Sequence, residues 1–302
     1  MRDDGVATKR HLWSKTSRKI ELIGKVVAIT GGARGIGLAT ARAFAAAGAS
    51  VAIGDVDAEQ TAVALAELES IPGARVIGLP LDVTDQQSFQ TFFDATQHAL
   101  GPIDVLVNNA GIMPTGLFAD EDPAMTARQV AINVDGVLNG SRVAAQAFAA
   151  RGHGHIVNIA SLVGVASFAG LATYTGTKRF VIGFSEVLNL EMREQGVDVT
   201  VVLPSVVRTE LASGRRLPAL WERLAVVDPK DIAAAVVAAV SRPGRVLVAV
   251  PGGLGGAMVG SSGLPPRLRS RLLRLVRLDG LITGGDEAAR ATYHHRIAGG
   301  TR

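Results

Sequence analysis

From residue 25 to residue 250, short apolar runs alternate with longer segments of helical periodicity. The runs are followed by turn residues and show little polar alternation, as expected of parallel strands buried on both faces. Strands are predicted at residues 26–29, 51–53, 75–79, 103–107, 155–159, 197–203 and 245–250, and helices at 36–47, 58–68, 86–100, 125–150, 173–195 and 228–240. This order predicts an α/β, Rossmann-type doubly wound fold, with a seven-stranded parallel sheet and helices on both faces.

Three regions are predicted. Residues 1–22 carry charges without periodicity and are interpreted as a flexible extension, whereas residues 23–250 are predicted to form one Rossmann-type domain. In the C-terminal extension, 251–302, a Gly- and Ser-rich loop is predicted at 252–263. Leucines at helical spacing among arginines then predict a basic amphipathic helix over 264–277. That helix could pack on the body or a neighbouring subunit, contact an anionic membrane, or cap a substrate pocket.

Composition excludes several classes of site. The chain has no cysteine, which rules out disulfides, thiolate zinc sites and cysteine nucleophiles. A net charge of +4 without interleaved aromatic and basic residues argues against a nucleic-acid partner. His153 and His155 lack an accompanying carboxylate pattern, so no metal site is predicted. No apolar stretch is long enough to span a membrane or resembles a signal peptide, so a cytoplasmic, possible membrane-peripheral location is expected.

A glycine-rich turn separates the first predicted strand from the first helix. The glycines that define its motif are Gly31, Gly35 and Gly37, with Arg34 and Ile36 between them, a spacing that differs from G-x-G-x-x-G. Glycines at such a turn let the backbone approach a pyrophosphate, which the helix N-terminus then attracts. The turn therefore predicts a dinucleotide site, with an ordinary glycine turn as the alternative.

The cofactor is predicted from the end of the second strand. Asp55 can accept hydrogen bonds from the two hydroxyls of the adenosine ribose, and its charge would repel a 2′-phosphate. This favours NAD. Arg34, taken as a mobile turn residue, could pair with a 2′-phosphate, so NADP stays open. Asp57 is expected to cap the next helix.

Tyr174 and Lys178 lie four positions apart on a predicted helix and so share one face. An ammonium near a phenol favours the phenolate, and such a phenol can exchange a proton with an alcohol or a carbonyl. Ser161 follows the fifth strand, where a hydroxyl opens onto the ligand crevice. Together they predict alcohol or carbonyl redox chemistry.

Over residues 24–250 these motifs occur in the order typical of short-chain dehydrogenases/reductases, which the chain resembles. The matching residues are the turn from Thr30 to Gly37, Asp82 in Leu81-Asp82-Val83, Asn108-Asn109-Ala110-Gly111, Asn133 in Ile132-Asn133-Val134, Ser161, and Tyr174 with Lys178. Two departures are evident: Pro204 is followed by Ser205 where the family often has glycine, and residues 251–302 continue past the usual end.

The resemblance implies a role for each matching residue. Tyr174 is the acid/base, Ser161 holds the substrate oxygen, and Lys178 lowers the tyrosine pKa and binds the nicotinamide ribose. Asn133 supports a water relay, and Asp82 contacts adenine. The implied cofactor contacts further include Val83, Asn109, Ala110, Gly111, Pro204, Val207 and Thr209. A homodimer or homotetramer, built through the helices near Met125 and Tyr174, is also implied.

The substrate is expected to be a lipophilic alcohol or ketone. A lid over residues 206–227 carries Leu211, Leu217, Leu220, Trp221 and Leu224, and the pocket is expected to include Met113, Leu117, Leu162, Val163, Val165 and Phe168. The alternative function is a non-catalytic dinucleotide-sensing or membrane-associated regulator on the same fold. Such a regulator need not keep Asn133, Ser161, Tyr174 and Lys178, all of which are present.

Overall fold

A parallel sheet forms the centre of the computed structural model, which describes residues 20–166, 168–212 and 219–261 and the single residues 263, 265, 267, 268, 293, 295 and 297. The strands are β1 (Val26–Thr30), β2 (Ser50–Asp55), β3 (Arg75–Pro80), β4 (Val105–Asn108), β5 (Gly154–Ile159), β6 (Val197–Pro204), β7 (Val206–Val207), β8 (Val226–Val227) and β9 (Leu247–Val250). Seven of them form the sheet in the order β3-β2-β1-β4-β5-β6-β9, and β7 pairs separately with β8. The predicted seven-stranded parallel sheet is confirmed.

Helices cover both faces of this sheet. They are α1 (Gly35–Ala46), α2 (Ala58–Glu69), α3 (Gln86–Leu100), α4 (Pro123–Val130), α5 (Gly136–Arg151), α6 (Ala172–Arg193), α7 (Ala219–Ala225), α8 (Pro229–Ser241) and α9 (Gly252–Ser261). Val27 packs with Phe44 of α1 and Ile232 of α8 on one face. Its neighbour Ala28 packs with Phe89 of α3 and Phe148 of α5 on the other. Because successive strand residues point to opposite faces, both must be apolar, which explains the uninterrupted runs.

The sheet reverses its winding at β1. Val27 is in register with Val51 of β2 on one side and with Val105 of β4 on the other. Strands on the two sides are reached by crossovers of opposite direction, which leaves a crevice at the carboxyl ends of the strands. The loops after the first six strands, β1 to β6, therefore meet there.

The helix predicted over 125–150 is interrupted in the structure. α4 ends at Val130, a π-helical turn covers Ala131–Asp135, and α5 then begins at Gly136. A π turn shifts the side chains it contains relative to a regular helix, and such turns are frequent at functional sites. Here the displaced residue of interest is Asn133, which is fully buried.

The loop predicted over 252–263 is wrong, because α9 occupies Gly252–Ser261. Glycine disfavours helix, yet here tertiary packing decides. A Cβ on residue 255 would lie 2.3 Å from the Ala249 Cβ, so glycine allows α9 to approach β9. Met258 and Val259 pack on a core cluster that includes Val181 and Leu203. The helix is held by its neighbours.

The chain joins the body earlier than residue 23. The Ile20 N–H donates to the Ser241 carbonyl at 2.8 Å, and Leu22 is buried in the main core cluster. Residues 1–19 lie outside the described part. So does most of the predicted basic helix over 264–277, of which Arg267 and Leu268 are described and helical. Within the described residues, no helix has the length and apolarity to cross a bilayer.

Candidate active site

A cavity of about 1250 Å³ lies at the carboxyl edge of the sheet. Sixteen of the eighteen residues predicted for the site line this cavity. The other two, Gly37 and Asn133, contact residues that line it. The lining residues among those predicted are Gly31, Arg34, Gly35, Ile36, Asp55, Asp82, Val83, Asn109, Ala110, Gly111, Ser161, Tyr174, Lys178, Pro204, Val207 and Thr209. The fold thus brings motifs from six strand ends, those of β1 to β6, to one cavity.

The glycine turn is pressed against the end of β4. Gly31 has φ +62°, and a Cβ there would lie 2.9 Å from the Ala110 Cα. A Cβ on residue 37 would lie 2.1 Å from the Gly31 carbonyl oxygen. The Asn109 Nδ2 donates to the Thr30 and Gly31 carbonyls, both at 3.0 Å. Only glycine fits this close and left-handed turn.

The N-terminus of α1 is suited to an anion. Its N-cap residue, Arg34, makes no side-chain capping hydrogen bond, and the first turn contains no acidic residue. By contrast, Asp57 and Asp85 accept backbone N–H groups at the starts of α2 and α3. The backbone N–H groups of an uncapped helix start, together with the helix dipole, attract negative charge. Gly35 and Ile36 of this turn line the cavity, so these residues fit a dinucleotide diphosphate.

The end of β2 presents a carboxylate to the same cavity. The Asp55 Oδ2 accepts the Ala33 N–H at 3.3 Å and its Oδ1 accepts the Asp57 N–H at 3.2 Å. These backbone donors orient Asp55 toward the turn. Arg34, expected to be mobile, is instead paired with Asp57, and its Nη1 lies 3.6 Å from the Glu210 carboxylate. The predicted capping of α2 by Asp57 is also present.

The next strand end lies beside these groups. The Asp82 Oδ1 accepts the Thr84 N–H at 2.9 Å and the Thr84 hydroxyl at 2.7 Å. Val83 is buried, and its carbonyl accepts from the Asn139 Nδ2 at 3.0 Å. Asp82 is therefore held in a tight turn, with Val83 as an apolar surface beside it. Such a surface suits the flat face of a base.

At the other end of the cavity, α6 contributes Tyr174 and Lys178. Both are buried, and the Lys178 Nζ lies 5.7 Å from the Tyr174 ring centroid. The Nζ donates to the Ile159 carbonyl at 2.9 Å, and burial lowers the pKa of Lys178 to about 8. Ser161 adopts an extended backbone; its Oγ accepts the Val163 N–H and donates to the Pro204 carbonyl, both at 3.4 Å. A phenol, an amine and a hydroxyl thus share one end of the cavity.

Asn133 ties this group to the loop after β4. Its Oδ1 accepts the Ile112 N–H at 2.9 Å, and its Nδ2 donates to the Ile112 carbonyl at 2.9 Å and to the Thr177 hydroxyl at 3.2 Å. Thr177 in turn donates to the Tyr174 carbonyl. A Cβ on residue 111 would lie 3.2 Å from the Asn133 Oδ1 and 3.5 Å from the Lys178 Nζ, which places Gly111 between them.

Comparison with known proteins agrees with this arrangement. A family model described as "short chain dehydrogenase" matches residues 25–218. The chain belongs to the short chain dehydrogenase family. Within that family it is 33% identical to 2,5-dichloro-2,5-cyclohexadiene-1,4-diol dehydrogenase LinX of Sphingobium indicum over 218 residues, which cover 70% of this chain and 87% of LinX. The resemblance inferred from the motifs is confirmed.

This chain is also similar to two reductases. The chain is 35% identical to the glycine betaine reductase of Emericella nidulans over 233 residues, 74% of this chain but only 18% of that protein. The crystal structure of levodione reductase superposes with a TM-score of 0.70 at 26% identity, covering 78% of this chain and 99% of levodione reductase. The family assigns oxidoreductase chemistry on alcohols and a nicotinamide cofactor.

The end of the cavity beside Tyr174, where the sequence predicts the substrate pocket, was predicted only in part. Met113, Leu162, Val163, Phe168 and Leu211 line it, as expected. Leu117 and Leu224 do not; both are at least half exposed, while Val165 is buried in the core cluster below. Leu217 and the side chains of Leu220 and Trp221 lie outside the described part. Several lining residues were not predicted, namely Ile112, Arg128, Ser205, Leu254, Met258, Tyr293 and Ile297.

The family departure at Ser205 has a structural consequence. The Ser205 N–H donates to the Val250 carbonyl at 2.9 Å, and its hydroxyl donates to the Ala225 carbonyl. Ser205 therefore joins the end of β6 to the end of α7. The two ends of the segment predicted as a lid, 206–227, are joined by the β7–β8 pair, Val206 with Val226 and Val207 with Val227.

Proposed function

We propose that this protein is an NAD-linked oxidoreductase that interconverts a lipophilic secondary alcohol and its ketone. The observation that carries the proposal is the meeting, in one cavity, of Ser161, Tyr174 and Lys178 with the glycine turn and Asp55. One end of the cavity suits a dinucleotide and the other suits proton transfer.

In the oxidative direction, the substrate hydroxyl lies between the Ser161 Oγ and the Tyr174 Oη. Ser161 holds the oxygen, and Tyr174 removes the hydroxyl proton; in reduction it donates the proton to the carbonyl. The bound nicotinamide supplies the hydride acceptor or donor. Lys178 has a pKa lowered to about 8, so its charge is present at neutral pH and stabilises phenolate character in Tyr174.

Asn133 acts on the loop and on α6 in this scheme. By binding both polar groups of the Ile112 backbone, it fixes the segment that separates the two ends of the cavity. By binding Thr177, it fixes the turn of α6 that carries Tyr174. A water held beside it would link Lys178 to solvent and return the proton.

The preference for NAD rests on two charges. The Asp55 carboxylate, held by the Ala33 and Asp57 N–H groups, suits ribose hydroxyls and repels a 2′-phosphate. Arg34, the basic residue of the glycine turn, is already engaged by Asp57 and Glu210. NADP binding would require Arg34 to leave those two carboxylates.

The substrate class follows from the cavity wall. Around Tyr174 the wall is apolar, with Met113 and Leu171 buried against the tyrosine and Val163, Phe168 and Leu211 packed beside them. The names of LinX and levodione reductase specify a cyclic diol and a dione. These support a cyclic or bulky aliphatic alcohol as the substrate.

A homo-oligomer is part of the proposal. On α6 the apolar side chains of Phe180, Val187 and Leu190 are 37%, 55% and 70% exposed and recur on one face of the helix. An apolar row of this kind on a soluble surface is typical of a subunit contact. Sedimentation at several concentrations will establish the number of subunits.

Two measurements test the function. Wild-type protein should bind NADH more tightly than NADPH, and Asp55→Asn should reduce this preference by about tenfold or more. Asp94→Asn, which removes the same charge from an exposed position on α3, is the control. Preferential NADPH binding by the wild type would contradict the cofactor assignment.

The second measurement addresses the chemistry. Tyr174→Phe should lower kcat for cyclohexanol oxidation by about 10²–10⁴-fold, the usual contribution of a general acid/base, with NADH affinity unchanged. Retained turnover would contradict the role of Tyr174. If wild type binds NADH tightly but turns over no alcohol or ketone, the result would support the alternative function, a non-catalytic dinucleotide-sensing regulator.

A further inference from the structure

Four residues of the cavity wall come from the C-terminal region, beyond the part of the chain that matches the family. Leu254 and Met258 lie one turn apart on α9, and Tyr293 and Ile297 are spaced in the same way. The family model matches residues 25–218, so all four residues lie beyond the matched range.

Tyr293 is fixed at the cavity by a long-range hydrogen bond. Its Oη accepts the Met113 N–H at 2.8 Å, joining residues 180 positions apart. Met113 is buried and packs with Tyr174 and Leu171. The neighbouring Ile112 backbone is bound by Asn133. The loop after β4 is therefore held at one residue by Asn133 and at the next by the C-terminal segment.

The exposure pattern shows which face of this segment is turned inward. Tyr293 and Ile297 are helical and only 5% and 6% exposed, whereas His295, between them, is helical and exposed. Residues four apart share a helix face, and the residue midway lies on the opposite side. The face with Tyr293 and Ile297 is thus packed against the cavity. The chain has only two tyrosines, and both line this cavity.

We propose that Tyr293 is a specificity-determining residue, which with Ile297 closes the substrate end of the cavity and limits the size of the alcohol that reaches Tyr174. The proposal rests on the function proposed above and adds the residues that determine which alcohols fit the cavity. The ring of Tyr293 and the side chain of Ile297 form an apolar boundary for the part of the substrate away from the reacting hydroxyl. The hydrogen bond to Met113 keeps this boundary in place.

Tyr293→Ala tests the proposal, with His295→Ala as the matched control on the exposed side of the same segment. The probes are cyclohexanol and the bulkier 4-cyclohexylcyclohexanol, oxidised by the full-length protein with saturating NAD. Because a single methylene in an apolar pocket changes kcat/KM by about 10-fold or more, loss of the phenol should raise the bulky-to-small ratio by at least about 10-fold. NADH affinity should stay within about twofold of wild type, and His295→Ala should behave as wild type.

Two further variants cover the case in which Tyr293→Ala does not fold. Ile297→Ala should shift the ratio in the same direction by a smaller factor. Tyr293→Phe keeps the ring but loses the acceptor for the Met113 N–H, so hydrogen exchange at that amide should accelerate while the size preference is kept. An unchanged Met113 exchange rate would show that the docking contact is wrong.

The outcomes separate this proposal from the proposed function. One outcome is that wild type oxidises both alcohols while neither Tyr293→Ala nor Ile297→Ala changes the bulky-to-small kcat/KM ratio more than the His295→Ala control does. In that case the specificity role of Tyr293 and Ile297 is wrong, and the proposed oxidoreductase function is retained. If wild type oxidises neither alcohol, the proposed function is wrong. Calorimetric binding of cyclohexanone and 4-cyclohexylcyclohexanone then tests whether Tyr293 and Ile297 limit the size of the bound molecule. A binding ratio shifted by Tyr293→Ala supports this limit, and an unchanged ratio overturns it.

Discussion

Burial of Lys178 should make the stability of this protein depend on pH above neutrality. The side chain is 4% exposed, and desolvation lowers its pKa from 10.5 to about 8. Between these two values the unfolded chain binds a proton that the folded protein has released. The free energy of unfolding therefore rises as pH rises from 8 towards 10.5. At pH 7 the lysine is protonated in both states, and the folded state carries the penalty of a buried ammonium.

The size of this effect follows from the shift. A difference of one pKa unit corresponds to about 1.4 kcal/mol, so the full penalty is about 3 kcal/mol at neutral pH. Between pH 7 and pH 9.5 the linkage relation predicts that the free energy of unfolding rises by about 2 kcal/mol as this penalty is removed. Most of the change falls above pH 8.

Urea unfolding of cofactor-free wild type and Lys178→Met, at steps from pH 7 to pH 9.5, measures this effect. Other titrating groups are common to both proteins, so the difference between the two unfolding free energies reports on Lys178. Wild type should gain about 2 kcal/mol relative to the variant over this range. Lys230→Met, an exposed substitution at the start of α8, corrects for the change in net charge. A difference that stays constant, or that favours the variant at high pH, would refute the reasoning.

Two other substitutions test the support behind the cavity. Gly37→Ala places a Cβ 2.1 Å from the Gly31 carbonyl oxygen and should weaken NADH binding by about 100-fold or prevent folding, since the turn must open. In Gly183→Ala, where the new Cβ meets no atom within 4 Å on α6, stability should instead rise by up to about 1 kcal/mol, as thermal unfolding will show. Asn133→Ala leaves the Ile112 backbone groups without their side-chain partner. It should destabilise the protein by about 3 kcal/mol in urea and lower kcat in the folded fraction, and unchanged kcat would contradict its positioning role.

The alternation of apolar runs and helical segments was enough to predict the fold. Parallel strands buried on both faces leave a pattern that is local and easily read, as at Val27 and Ala28, which pack on opposite faces. Helix starts were equally legible, since Asp228 and Pro229 form the predicted N-terminus of α8 with a capping box to Asp231. These features depend on neighbours within a few residues.

The residues that line the cavity were predictable where they belong to the motif order typical of the family. Glycines 31, 35 and 37, the carboxylate of Asp55 and the Tyr174–Lys178 pair stand where backbone geometry and helix spacing require. What the sequence did not reveal was how each is held. Arg34 pairs with Asp57 and Glu210 across 23 and 176 positions of chain, and no local pattern indicates either partner.

Only the tertiary structure decided the far wall of the cavity. The glycine-rich segment after Pro251 has little intrinsic tendency to form a helix, yet α9 forms because Gly255 packs closely on Ala249. The bond from the Met113 N–H to the Tyr293 hydroxyl joins two segments that are 180 positions apart and share no periodicity or motif. The sequence by itself determined the sheet, its glycine turn and which side chains stand at its carboxyl edge, because these follow from local sterics and burial. The shape of the substrate end depends on contacts between distant segments, which exist only once the chain has folded.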